Sequence, residues 1–354
     1  MKIILLIIIG LTLLFALIAL VGRIVNTYKY KIRPETGVQK TEYITIGAAG
    51  QYIQIRGQNI FNPVLIVLHS GPGNPMACDS YRWQAALEHN YTIVHWDQRG
   101  CGNTFYHNRS AKKPTLELLL SDLDELVDDI RFQYGKEKVV IMGHSWGTFL
   151  GGIYAKTHPD KVSAYISVSQ MLDFKKSEQV SAQEAIRVAK ASGRTQDVRE
   201  IKKLLAAVMA CRTLDKANAK KLLRLRLIKE KYLPPQYGRQ TLLLRLFSPY
   251  MTIQNLKWMM SFGKLIESNS ELYEMLLSHE KHSIYHYAME YKVPIIMISG
   301  NWDWTTPYRM AYQYFNDISA PKKKFITIGN TGHIPFMDKP EEFSEALLKA
   351  LRNT

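Results

Sequence analysis

The sequence predicts an α/β protein: a mostly parallel, doubly wound sheet interrupted by a helical insertion, behind an N-terminal transmembrane helix. Three observations carry the prediction. Short, nearly continuous apolar runs recur along the chain, amphipathic stretches separate them, and a long uncharged apolar run opens it. Strands buried on both faces read as such runs, and their alternation with helices is the pattern of a parallel sheet covered on both sides.

From Ile3 to Gly22 no residue is charged and only Thr12 is polar. That matches the roughly 20 residues a helix needs to span a bilayer. A cleaved signal peptide is the rival reading, but its apolar region usually runs about 7 to 15 residues and ends at small residues; "LVGR" is a poor cleavage site. An uncleaved single-pass anchor is therefore expected. Arg23, Lys29, Lys31 and Arg33 follow the span, and positive charge tends to stay cytoplasmic, which points the rest of the chain into the cell.

After a polar linker, "TEYITIG" and "QYIQIRG" flank a Gly-containing turn and read as a hairpin. The runs "PVLIVLH", "YTIVHWD", "KVVIMG" and "VSAYISVS" are the next predicted strands, and "VPIIMISG" and "KKKFITIG" are the last. Between them, Leu116, Leu119, Leu120, Leu123, Leu126, Val127 and Ile130 fall at helical spacing, and "GTFLGGIYAKTHP" reads as a second helix. From about Met171 to Tyr285 the strand pattern stops, and a Lys/Arg/Leu-rich helical segment interrupts the sheet. The expected layout is an anchor at 3–22, a linker at 23–40, a first core portion at 41–170, a helical lid at 171–285 and a second core portion at 286–354.

Overall composition is that of an ordinary globular protein, with 46% hydrophobic and 22% charged residues. The formal net charge of +15 concentrates in the insertion, where 18 Lys and Arg face 6 Asp and Glu between Lys175 and Tyr250. No nucleic-acid-binding motif accompanies that charge, so a solvated face near anionic lipid headgroups is expected instead. The three cysteines, Cys78, Cys101 and Cys211, are too few for a disulfide framework.

The chemistry centres on "GHSWG", Gly143 to Gly147. It directly follows a predicted strand and precedes a helix, the context of a nucleophile elbow that lifts Ser145 above the sheet. A serine hydroxyl needs a base to take its proton, and the base needs a third group to orient it. In hydrolases of this topology the order is Ser, acid, His. Asp303 in "NWDWTTP" and His333 in "NTGHIPF" each follow a late strand, in that order. Asp173 is the rival acid, while Asp338 comes after His333. His158 reads as a helix cap, His69 as structural, and His144 as pointing away from the elbow. His279, His282 and His286 share a helical spacing, but no carboxylate or cysteine partner completes a metal site. The oxyanion donors are expected to be the backbone N–H groups of Trp146 and of Gly71 in "HSGPGN".

With these residues in view, the sequence resembles the prolyl aminopeptidase (proline iminopeptidase) group of α/β-hydrolases. The matching motifs are "HSGPG" at His69 to Gly73, "DQRGCG" at Asp97 to Gly102, "GHSWG", "GNWD" at Gly300 to Asp303 and "GH" at Gly332 to His333. The resemblance covers most of residues 41–170 and 292–354. It implies a cofactor-free acyl-enzyme mechanism in which Ser145 attacks, His333 shuttles the proton and Asp303 orients His333, while Asp97 and Arg99 fix loop structure. Two departures bear on substrate. Ser70 replaces the first glycine of the family's "HGGPG", and the lid lacks the "WE" motif associated with glutamates that bind a substrate's amino terminus; its one tryptophan is Trp258. Glu178, Glu184, Glu230 and Glu267 stand as lid candidates for that role. The expected activity is hydrolysis of small peptides or amides at the membrane, with small or lipid-derived esters as the enzymatic alternative and an inactive binding protein as the non-enzymatic one.

Overall fold

The computed structural model describes residues 2–108, 112–237, 240–278 and 282–352. Its centre is an eight-stranded sheet in the order β1-β2-β4-β3-β5-β6-β7-β8. The strands are β1 Val38–Ile46, β2 Ala49–Gly57, β3 Val64–Leu68, β4 Thr92–Trp96, β5 Val139–His144, β6 Val162–Val168, β7 Ile295–Gly300 and β8 Lys323–Ile328. The β1–β2 hairpin and the β2–β4 pair are antiparallel. From β4 to β8 every neighbour is parallel.

Alternate residues of one strand feed two separate apolar layers. In β3, Ile66 and Leu68 pack with the helices Leu116–Tyr134 and Trp146–Thr157. Leu65 and Val67 point the other way, into a layer closed by the helix Pro340–Leu351. Burial on both faces is why these strands read as unbroken apolar runs rather than alternating ones. The helix Leu116–Tyr134 buries Leu116, Leu119, Leu123, Leu126, Val127 and Ile130, and Thr115 caps it by accepting from the Leu118 N–H at 3.1 Å.

Between β6 and β7 the described residues form helices, the longest being Phe174–Ala191, Thr195–Ala210 and Lys216–Lys229. Their apolar stripes make a third cluster, with Ile201, Leu204, Leu222 and Leu225 at its centre.

At the N-terminus, the helix Lys2–Lys29 has an 18-residue window of mean hydropathy 3.3, and none of that window is buried. It is long and apolar enough to cross a membrane. The helix continues past Gly22 to Lys29, and β1 already begins at Val38, so much of the expected 23–40 linker is regular structure. The reason is tertiary. Arg23 Nε donates to the Leu246 carbonyl at 3.0 Å and Asn26 Nδ2 to the Phe247 carbonyl at 2.9 Å, which fastens the last turns of the helix to the insertion. One residue on, the Tyr30 carbonyl accepts from the buried Arg56 at 2.6 Å.

Candidate active site

Ser145 sits between β5 and the helix Trp146–Thr157, with φ +53 and ψ −115. A non-glycine residue there is strained, and strain persists only where the surroundings over-determine it. Here they do. The Ser145 N–H donates to the Val168 carbonyl at 3.0 Å, and its carbonyl accepts from the Thr148 N–H at 2.8 Å and the Thr148 hydroxyl at 2.6 Å. A β-carbon on Gly143 would strike the Gly147 carbonyl, and one on Gly147 would strike the Leu68 carbonyl. The sequence pattern is thus a packing requirement of the turn. As the first residue of its helix, Trp146 has an N–H with no acceptor inside that helix.

His333 follows β8, and Asp303 follows β7. The His333 Nδ1 lies 3.0 Å from Asp303 Oδ2 and 3.2 Å from Oδ1. Both side chains are buried. Asp303 Oδ1 also accepts from the Thr305 and Thr306 N–H groups at 2.9 Å each, and Oδ2 accepts from the Thr306 hydroxyl at 2.8 Å. Burial alone would raise the Asp303 carboxyl, but His333 and the Thr306 donors outweigh it and hold the group below its ordinary value. The carboxylate is therefore ionised at neutral pH and engages Nδ1, which leaves the opposite ring nitrogen of His333 for proton traffic.

Ser145, His333, Ser70 and Gly71 line one cavity of about 490 Å³, in the size range that holds a small molecule. From the insertion, Glu178, Arg226, Tyr237 and Tyr273 line it as well. Glu178 is buried, with Oε1 accepting from Arg226 Nε at 2.8 Å and Oε2 from Lys229 Nζ at 2.6 Å. Burial would raise this carboxyl, but the two cations overrule it and hold it at about 2. Among the glutamates named from sequence, Glu178 alone is a lining residue of this cavity. Glu184 pairs with Arg187 on the surface, and Glu267 borders other grooves.

The competing residues have structural roles. His144 Nε2 donates to the His333 carbonyl at 2.9 Å, and burial lowers its ring to about 3, so it is a neutral strut. His69 donates through Nδ1 to the Ser70 carbonyl at 2.7 Å and accepts at Nε2 from the Gln98 N–H at 3.2 Å; burial lowers it to about 4. It ties the "HSGPG" and "DQRGCG" loops together. His158 stacks on Tyr154 at a helix end. Asp173 caps the helix Phe174–Ala191 by accepting from the Lys176 N–H at 2.8 Å, and Asp338 accepts from the Gly332 N–H at 3.2 Å. His279 lies outside the described residues. Asp97 accepts twice from Asn103, and Arg99 pairs with Asp122 at 2.7 Å, so both hold loops.

Four side chains from the insertion make contributions that were not visible in the sequence. Gln236 clamps the acid and base loops together: its Oε1 accepts from the Trp304 N–H at 2.6 Å, its Nε2 donates to the Trp302 carbonyl at 2.9 Å, and its own carbonyl accepts from the His333 N–H at 2.9 Å. Trp258 Nε1 donates to the Gly73 carbonyl at 2.8 Å, and the Tyr273 hydroxyl to the Pro72 carbonyl at 3.0 Å. The Ser268 hydroxyl donates to the Gly100 carbonyl at 2.7 Å.

A family model described as the alpha/beta hydrolase fold matches residues 63–340. A probable aminopeptidase from Bacillus subtilis (strain 168) is 25% identical over 323 residues, covering 88% of this chain and 95% of the relative. A proline iminopeptidase from Heyndrickxia coagulans is 26% identical over 294 residues, covering 79% of this chain and 87% of that protein. In the crystal structure of VinJ the same fold recurs, with a TM-score of 0.63 at 18% identity over 91% of this chain and 99% of that one.

Proposed function

The chain belongs to the alpha/beta hydrolase fold family, and from that premise we propose that this hydrolytic enzyme is a membrane-anchored serine hydrolase, aminopeptidase-like, that cleaves small peptides or amides. The observation that carries the reading is one cavity lined by both a strained Ser145 and a His333 whose ring is hydrogen-bonded to a buried Asp303. In the proposed mechanism Ser145 Oγ attacks the scissile carbonyl carbon while His333 takes the hydroxyl proton, and Asp303 stabilises the imidazolium. The N–H groups of Trp146 and Gly71 receive the oxyanion. His333 then gives its proton to the departing amine as the C–N bond breaks. Water, deprotonated by His333, releases the acyl group and restores Ser145. No cofactor takes part. The helical segment acts as a lid, and the helix Lys2–Lys29 tethers the enzyme through its apolar run.

The peptide reading is supported by the similarity to a probable aminopeptidase and a proline iminopeptidase. One observation favours the ester reading: both Glu178 oxygens are occupied by cations, so this carboxylate is a poor receptor for a substrate's ammonium group. The test is turnover of alanine 4-nitroanilide, its N-acetyl derivative and 4-nitrophenyl butyrate by the full chain in detergent, with Ser145→Ala as blank. Serine-dependent cleavage of the free anilide supports the peptidase. Turnover of the ester alone replaces it with an esterase, and activity surviving in Ser145→Ala refutes the mechanism. For the anchor, the full chain is expected to sediment with membranes and a chain lacking residues 2–22 to stay in the supernatant; co-sedimentation of both would remove the tether.

A further inference from the structure

The charged groups around the cavity do not pair one to one. Asp79 and Arg245 both line it and pair with each other, Nε to Oδ2 at 2.8 Å, so they cancel. Glu178 faces two cations, Arg226 and Lys229, when one would neutralise it. His144 and His69 add nothing, because burial keeps both rings neutral at ordinary pH. With the ionised Asp303 behind His333 the groups sum to zero, but locally one carboxylate meets two cations, which leaves one cation underused.

The geometry says which cation Glu178 leaves underused. Lys229 is buried and spends its ammonium on Glu178 at 2.6 Å and on the Ser181 hydroxyl at 2.7 Å. Arg226 reaches Glu178 Oε1 through Nε and one Nη. Among the described residues its hydrogen bonds all go to that one oxygen, so most of its five donors remain for a ligand. Its side chain is 37% exposed, and it is a lining residue of the Ser145 cavity. A guanidinium in that state is the natural partner of a carboxylate. Tyr237, which packs edge-on over His333 with ring centroids 6.1 Å apart, lines the cavity beside it. In serine hydrolysis the histidine hands its proton to the leaving group, so a group bound on this flank belongs to the leaving half of the substrate.

We propose that Arg226 binds the free C-terminal carboxylate of a short peptide, so that the enzyme measures its substrate from the carboxyl end and releases the N-terminal residue of di- or tripeptides. This rests on the reading of Ser145 as the nucleophile. It also fits a cavity whose one lining glutamate among the described residues is already occupied: Glu178 positions Arg226 instead of greeting the amine.

The experiment uses the full chain in detergent with Ala-Ala and Ala-Ala amide, which differ only in the terminal charge. A charge-assisted hydrogen bond to Arg226 is expected to give Ala-Ala at least a roughly tenfold higher kcat/KM, carried by KM. In Arg226→Gln the ratio is expected to fall to within about threefold of unity, with Arg226→Lys between the two. Binding of both peptides to Ser145→Ala, measured by calorimetry, is an independent reading that needs no change at Arg226; Ala-Ala is expected to bind roughly tenfold more tightly. Equal binding of the two peptides, a preference for the amide, or an unchanged ratio in a folded Arg226→Gln would overturn the proposal. If Ser145→Ala hydrolyses peptide as fast as the parent, the nucleophile reading fails while the binding comparison still decides the role of Arg226.

Discussion

Replacing Gln236 by alanine tests whether the insertion holds the catalytic loops in register. Three side-chain hydrogen bonds vanish: to the Trp304 N–H at 2.6 Å, to the Trp302 carbonyl at 2.9 Å and to the Pro234 carbonyl at 2.7 Å. All three are part-buried, so each is worth about 1 kcal/mol net and the sum is about 2–3 kcal/mol. With an unfolding entropy of about 2.1 cal/mol/K per residue, a domain of this size loses roughly 0.7 kcal/mol per kelvin, which puts the Tm drop near 3–4 °C. Catalysis should suffer more than stability suggests, because Asp303 lies between the two residues released. We expect kcat to fall about tenfold or more with KM nearly unchanged, since a small displacement of a catalytic group is costly while binding contacts stay in place. Differential scanning fluorimetry and steady-state kinetics on one preparation give both numbers. A Tm drop with parental kcat would show that the clamp is merely structural, and an unchanged Tm would show that the bonds contribute nothing.

Acid stability should depend on Glu178. Its carboxyl is held at about 2, below the ordinary 4.5, so the stabilisation is present above pH 4.5 and fades as pH falls toward 2. At neutral pH it amounts to about 3 kcal/mol; Glu178→Gln should lose it, and its denaturation curves should converge with the parent's in acid. Parallel curves at all pH values would contradict this. Ser145→Gly should abolish turnover yet raise stability by about 1 kcal/mol, since glycine accepts φ +53 without strain; a lowered Tm would deny the strain. Asp303→Asn should cut kcat by about 10⁴-fold with the fold intact, as expected when the imidazole loses its orienting anion. A reduction of less than tenfold would point to another acid.

Much of the sheet was legible because burial on both faces writes itself into local sequence, as the runs "PVLIVLH" and "KVVIMG" show. Ser145 was legible because the tight turn imposes glycines on either side of it, and Asp303 and His333 because parallel strands deliver their loops to one edge. Gln236, Trp258 and Tyr273 were not. Their partners lie at Trp302, Gly73 and Pro72, far along the chain, and no periodicity marks a donor aimed at a distant backbone carbonyl. Glu178 could not be ranked among the lid glutamates, because which face of its helix meets the cavity depends on how the insertion docks. The extension of the first helix to Lys29 has the same origin: its last turns are held by the Leu246 and Phe247 carbonyls, which sequence proximity does not suggest.

The bonds from Trp258, Tyr273 and Ser268 to the carbonyls of Gly73, Pro72 and Gly100 bear on how such a protein can change over evolutionary time. An insertion that merely covered a sheet could be traded between relatives like an accessory, leaving the chemistry below intact. Here it supplies hydrogen-bond donors to the very loops beneath it, so a transplanted segment without equivalents would leave those carbonyls unsatisfied. Drift in specificity is thereby steered toward point changes on the cavity wall, where Arg226 stands, and away from wholesale exchange of the helices.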